Sequence, residues 1–138
     1  NPLDDIHFDI DKALSFEGET GPYIQYTYAR IKSILKKAGY KEVSDIDYSK
    51  FGEKESSLIK TLKEYPLVVE EASKKYRPSH IANYLIKLSQ NFNEFYQNCP
   101  IINGEEESLM PRLVLCNSTA KIIRDGLALL DIEVLEEM

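Results

Sequence analysis

Thr20-Gly21-Pro22-Tyr23-Ile24-Gln25-Tyr26-Thr27-Tyr28-Ala29-Arg30-Ile31-Lys32-Ser33-Ile34-Leu35-Lys36-Lys37-Ala38-Gly39 carries signals for both ends of a helix, with an apolar period between them. Thr20 or Gly21 can cap the start. Pro22 suits the first turn, where its missing N–H is not needed, and Gly39 supplies the left-handed residue that closes a helix. The bracket predicts a helix of about 17 residues. At about 100° per residue, Ile24, Tyr28, Ile31, Leu35 and Ala38 share one face, a stripe that seats the helix on a core. Tyr23, Tyr26, Arg30, Ser33 and Lys37 share the neighbouring face. Rings interleaved with cations suit stacking on bases and contact with phosphates, but they equally suit tyrosines that flank a core with their hydroxyls in water.

Helical periodicity recurs outward from this segment, with no sustained alternation for strands and no repeat of 20 to 50 residues. Asp9 to Phe16 reads as a short helix ahead of the turn-rich Glu17-Gly18-Glu19. Tyr40 to Glu53 is polar and irregular. Lys54 to Glu64 carries Leu58, Ile59 and Leu62 at helical spacing, and Tyr65-Pro66 should break that helix, leaving Leu67 to Tyr76 as a separate one. Arg77-Pro78 opens the next, in which Ile81, Leu85, Leu88, Phe92 and Phe95 form a stripe running to about Asn98. Ser108 is a good N-cap for a last helix with Leu109, Leu113, Cys116, Ala120, Ile123, Leu127 and Leu130 inward. Gly126 within it implies that a neighbouring backbone packs close. Four principal helices on mostly short loops predict an all-α, antiparallel helix bundle.

A chain of 138 residues, 43% of them hydrophobic, can bury the core of one domain. No run of about 18 apolar residues suits a membrane span, and no basic stretch leads into an apolar one as in a secretion signal. The expectation is therefore a soluble, cytoplasmic chain, and Asn1-Pro2-Leu3-Asp4-Asp5 reads as a cut inside a longer polypeptide. Cys99 and Cys116 are too few for a disulfide scaffold; they could be one bridge or two buried thiols, and buried thiols in a reducing setting are the expectation. The net charge of −6 argues against nucleic acid until its distribution is considered. Residues 1–20 hold −5, Glu105-Glu106-Glu107 holds −3 and the tail from Asp131 holds −4, so the helical middle carries +6. A moderately basic body with acidic ends can bind RNA, although solvated helix faces would give the same charge pattern.

No catalytic or metal-binding pattern emerges. His7 and His80 have no motif that pairs them with a serine or cysteine nucleophile, and with Cys99 and Cys116 they show no zinc-ligand spacing. The acidic run Asp4, Asp5, Asp9, Asp11 lacks the glycine and terminal glutamate of a calcium loop. Gly18-Glu19-Thr20-Gly21-Pro22 lacks the Gly-Lys-Ser/Thr ending of a phosphate-cradling loop.

The run Phe8-Asp9-Ile10-Asp11-Lys12-Ala13-Leu14-Ser15-Phe16-Glu17-Gly18-Glu19-Thr20-Gly21-Pro22-Tyr23-Ile24-Gln25-Tyr26 resembles the junction between catalytic core and C-terminal bundle in arginyl-tRNA synthetases. Tyr28-Ala29-Arg30-Ile31-Lys32-Ser33-Ile34-Leu35 continues the likeness. His80-Ile81-Ala82-Asn83-Tyr84-Leu85 with Phe92-Asn93-Glu94-Phe95-Tyr96 is similar to that family's central helix. Arg112-Leu113-Val114-Leu115, Gly126-Leu127-Ala128-Leu129-Leu130 and the ending Met138 resemble its last helix and terminal methionine. The chain also departs from the pattern. Leu109-Met110-Pro111-Arg112 stands for an Asp-Ala-Leu-Arg-type motif, with proline where alanine is usual, a change that an early helical turn tolerates. Asp131 replaces a common glycine, and Leu135-Glu136-Glu137-Met138 replaces a Pro-Glu-Arg-Met-like ending, removing an arginine.

The resemblance implies the C-terminal anticodon-binding bundle of a class I arginine–tRNA ligase, with residues 1–20 as a junction from the catalytic domain and 21–138 as the bundle. It implies that Tyr23, Tyr26, Tyr96 and Met138 line the pocket for the anticodon loop, and the stripe adds Arg30 as a phosphate or loop contact. The partners implied are arginine-accepting tRNA, rather than DNA or a membrane, and the catalytic domain of the same chain. ATP and the aminoacylation step of translation belong to that domain, so this portion is expected to hold no cofactor and no catalytic site. The rival from a different class is a bundle that docks proteins through its tyrosine stripe without binding RNA. The related bundle of the cysteine enzyme is a third possibility, against which the arginine-type junction argues.

Overall fold

The computed structural model describes residues 9–16 and 18–136. Among them are five helices and no strand: α1 (Ile10–Ala13), α2 (Gly21–Lys37), α3 (Glu53–Lys75), α4 (Ser79–Asn98) and α5 (Glu106–Leu129). No helix among these residues is long and apolar enough to cross a membrane.

α2 forms where its end signals place it. The Thr20 hydroxyl accepts the Tyr23 N–H at 3.2 Å, and Pro22 lies in the first turn. At the other end Gly39 takes φ 60, and Tyr40 N–H closes onto the Leu35 carbonyl at 3.0 Å, a left-handed C-cap. Ile24, Tyr28, Ile31 and Leu35 are buried as the period requires. They meet Ile81, Leu85, Leu88, Phe92 and Phe95 of α4 and Leu113, Cys116, Ala120, Ile123 and Leu127 of α5 in one core. α3 is the outer helix and gives this core Leu58 and Ala72, with Ile59 and Leu62 partly covered.

Paired residues fix the directions. Along α3 and α4, Lys54 meets Glu94 at 2.5 Å, the Tyr84 hydroxyl donates to the Thr61 carbonyl at 3.0 Å, and Lys87 meets Glu64 at 2.6 Å. From the Lys54–Glu94 pair to the Glu64–Lys87 pair the α3 number rises while the α4 number falls, so these two helices run antiparallel. The two thiols are free and buried, and burial pushes Cys116 up to about 12.

The structure differs from the sequence expectations in four places. Pro66 does not break α3, which runs unbroken for 23 residues. The proline ring costs the backbone bond to the Leu62 carbonyl, but apolar contacts of Leu62, Tyr65 and Val68 with the core span the gap. Ser108 is not the cap of α5: Glu105 is, and Ser108 lies buried in the first turn behind Glu106 and Glu107, whose charges suit a helix N-terminus. α1 is shorter than Asp9 to Phe16, because after its Asp9 cap it buries no residue that would extend it. Gly126 faces a side chain rather than a backbone, since a Cβ there would stand 2.7 Å from Leu85 Cδ2.

The Leu109-Met110-Pro111-Arg112 segment starts α5 without disrupting it. Arg112 Nη2 pairs with the Glu55 carboxylate at 2.8 Å, and its Nη1 donates to the Pro100 carbonyl at 2.6 Å. Glu55, 3% exposed, also accepts the Gly52 N–H at 3.2 Å. One arginine therefore joins the starts of α3 and α5 to the α4–α5 loop. Asp131, in place of the common glycine, takes φ 59 just past α5, a conformation that aspartate tolerates better than most side chains.

Candidate nucleic-acid interface

α2 turns the residues at positions 23, 26 and 30 to one side because their spacing advances about one turn at a time. α4 crosses that side with Asn93 and, one turn further on, Tyr96. The Tyr26 ring is 37% exposed and the Tyr96 ring 39% exposed. Between them lies Arg30, its guanidinium carbon 4.7 Å from the Tyr26 ring centre and 5.8 Å from that of Tyr96. Phe16 meets the edge of Tyr26 at 6.1 Å, and Phe92 stacks on Tyr96 at 6.3 Å, so each ring has support from behind.

The cation is held by neutral groups. Arg30 Nη1 donates to Asn93 Oδ1 at 3.1 Å, and Nη2 donates to the Tyr26 hydroxyl at 3.0 Å. The amide nitrogen of Asn93 donates to the Tyr23 hydroxyl at 2.8 Å and reaches the buried Thr27 hydroxyl at 3.4 Å. No carboxylate among the described residues pairs with Arg30, so its charge is available to a ligand.

Next to this group α2 and the C-terminal segment enclose a cleft of about 780 Å³, lined by Tyr26, Arg30, Lys32, Ser33, Lys36 and Glu136 among others. The segment is tied back by Gln25 Nε2, which donates to the Glu133 carbonyl at 2.8 Å, and by Glu136. The Glu136 carboxylate accepts the Tyr28 hydroxyl at 2.9 Å and pairs with Lys32 at 3.3 Å. Burial, reinforced by Glu136, pushes the Tyr28 hydroxyl up to about 12, while the Tyr28 bond and Lys32 hold the Glu136 carboxyl below its usual range.

Of the residues expected at the site, Tyr23, Tyr26, Arg30 and Tyr96 come together, Tyr23 half-buried with its hydroxyl taken by Asn93. Met138 lies outside the described residues. Ser33 lines the cleft, but Lys37 does not, and Lys32 and Lys36 supply the cations there. Asn93 and Phe16 were not singled out by spacing. Asn93 carried one signal, an amide in a helix interior between Phe92 and Phe95, where a helix-favouring residue would be usual.

Two rings flanking a guanidinium, beside a cleft with two lysines, can stack on unpaired bases and contact their phosphates. A family model, the DALR anticodon binding domain, matches residues 24–138. The chain belongs to that family. This DALR domain is 42% identical over 141 residues to the arginine–tRNA ligase of Fusobacterium nucleatum, covering 100% of the chain and 25% of that protein. It is 43% identical over 131 residues to the arginine–tRNA ligase of Streptococcus uberis, covering 95% and 23%. Among solved structures it is similar to the arginyl-tRNA synthetase of Thermus thermophilus, with a TM-score of 0.88, 36% identity, and coverage of 95% of this chain and 23% of that one. The DALR domain thus spans about a quarter of the length of the curated relatives it matches.

Proposed function

We propose that this chain is the tRNA-gripping bundle of an arginine–tRNA ligase and that its α2–α4 face receives the anticodon loop of arginine-accepting tRNA. The observation that carries this is Arg30, held by Asn93 between the exposed rings of Tyr26 and Tyr96, with no carboxylate of the described residues paired to it. Tyr26 and Tyr96 stack on splayed bases, Tyr23 and Asn93 hold the arrangement, and Arg30, Lys32 and Lys36 meet phosphates. Met138 belongs to this pocket by the family pattern. Arginine codons read CGN or AGR, so every cognate anticodon has a central cytosine, and that splayed-out base is the one this reading assigns to the face.

Residues 1–20 are then the junction to a catalytic domain of the same polypeptide, and 21–138 the bundle. ATP, arginine and the aminoacylation step belong to that other domain. Two buried free thiols are consistent with a cytoplasmic setting for translation.

The test is equilibrium binding of arginine tRNA and of the same tRNA with its middle anticodon base changed. The altered tRNA should bind more weakly, and Tyr26→Ala should cost about 1–3 kcal/mol. Unchanged affinity in Tyr26→Ala with helix content intact removes Tyr26 from the site. A salt titration separates this role from protein docking, because phosphate contacts weaken steeply with salt and an apolar protein interface barely responds.

A further inference from the structure

The turn between α3 and α4 puts a bulky side chain at a position where glycine is usual. Tyr76 closes α3 at φ 52, ψ 42, the left-handed region that glycine adopts freely and a bulky side chain adopts at a cost. The other non-glycine residues at positive φ among those described are Asp45 and Asp131, whose short carboxylates can bond to nearby backbone. A tyrosine has no such recourse. Packing offers no compensation either, because Tyr76 is 92% exposed.

Lys74, Lys75 and Arg77 lie next to Tyr76 in the chain. Lys74 and Lys75 reach back one turn to Glu70 and Glu71 in exposed pairs, which hold them only weakly. Arg77 is exposed and pairs with no carboxylate among the described residues. The backbone beneath is fixed, with Tyr76 N–H on the Ser73 carbonyl at 3.2 Å and Arg77 N–H on the Ala72 carbonyl at 2.9 Å. An exposed ring on a fixed backbone, with cations beside it in the chain, is a combination that suits unpaired nucleotides.

Resting on the tRNA-binding role proposed above, we infer that the α3–α4 tip is a second RNA contact, separate from the α2–α4 face. Tyr76 stacks on an exposed nucleotide, and Arg77, helped by Lys74 and Lys75, meets phosphates. Asn93 lies about 21 Å along α4 from Ser79, so the tip touches nucleotides other than those at Arg30, within the span of one tRNA.

The experiment measures melting temperature and affinity for arginine tRNA over a salt series, in the chain and in Tyr76→Gly, Arg77→Ala and Tyr26→Ala. Tyr76→Gly relieves the left-handed conformation, so it should melt a few degrees higher yet bind tRNA about fivefold more weakly or worse. Arg77→Ala should flatten the salt dependence by about one phosphate contact. Unchanged affinity in Tyr76→Gly, or affinity lost together with melting temperature, overturns the tip contact. If Tyr26→Ala alone weakens binding, the α2–α4 face stands without the tip; if Tyr76→Gly alone does, the reverse holds. A chain that binds no tRNA overturns both.

Discussion

Arg30 reaches across from α2 to donate to the side-chain oxygen of Asn93 on α4 at 3.1 Å, and the other end of that amide holds the Tyr23 hydroxyl at 2.8 Å. A neutral acceptor orients the cation without cancelling its charge, which a carboxylate at the same place would do.

Asn93→Ala is therefore expected to weaken arginine-tRNA binding by about tenfold, because Arg30 loses its anchor, while stability falls by only about 1 kcal/mol for the hydrogen bonds removed. Binding and thermal melting on the same sample check both numbers. Full affinity in this variant would show that Arg30 is aimed by something else.

The Arg112–Glu55 pair makes a prediction about acid. Burial alone would raise the Glu55 carboxyl, but its own backbone N–H, the Arg112 guanidinium and the Gly52 N–H outweigh that and hold it below its usual range. A depressed carboxyl contributes its full stability above the unfolded-state pKa and loses it as pH falls through the folded one. Stability should thus decline below about pH 4.5, and Glu55→Gln should flatten that decline. Arg112→Met, which strands the carboxylate, should cost about 3 kcal/mol at neutral pH. Urea unfolding at several pH values measures both. An equally steep acid limb in Glu55→Gln would assign it to other carboxylates.

Pro66 is exposed within α3 and has no N–H to complete the ladder. Pro66→Ala restores that bond and removes the ring, so the chain should gain about 1–3 kcal/mol, seen as a higher melting temperature with unchanged helix content. A lower melting temperature would mean that the ring makes contacts the helix depends on.

Gly126→Ala should lose about 1 kcal/mol despite alanine's better helix propensity, because the new methyl meets Leu85, which is fully buried and cannot move aside. Leu85→Ala in the same chain should make the added methyl harmless. A double-mutant cycle with no coupling between the two positions would contradict the contact.

Sequence pattern revealed the elements whose evidence is local. The caps of α2, its two faces and the stripe of α4 are all set within one helix, where spacing decides. Tyr23, Tyr26 and Arg30 were legible for the same reason. Asn93 was not, because its importance depends on α2 crossing α4 at that turn. Glu136 acts on Tyr28 from 108 positions away. The break expected at Tyr65-Pro66 shows the opposite limit. Proline's local preference is real, but contacts on both sides of it, made by Leu62, Tyr65 and Val68, decide the outcome.

With no interruption at Pro66, α3 is a single rod about 34 Å long. Its foot is clamped where Arg112 grips Glu55, and Tyr76 stands at its far end. Built in two pieces, it would have an elbow there, and the Tyr76 end could swing independently of the rest. As one column with a single missing rung, it sets the separation between those two points like a ruler. A force applied at the tip is therefore felt at the clamp.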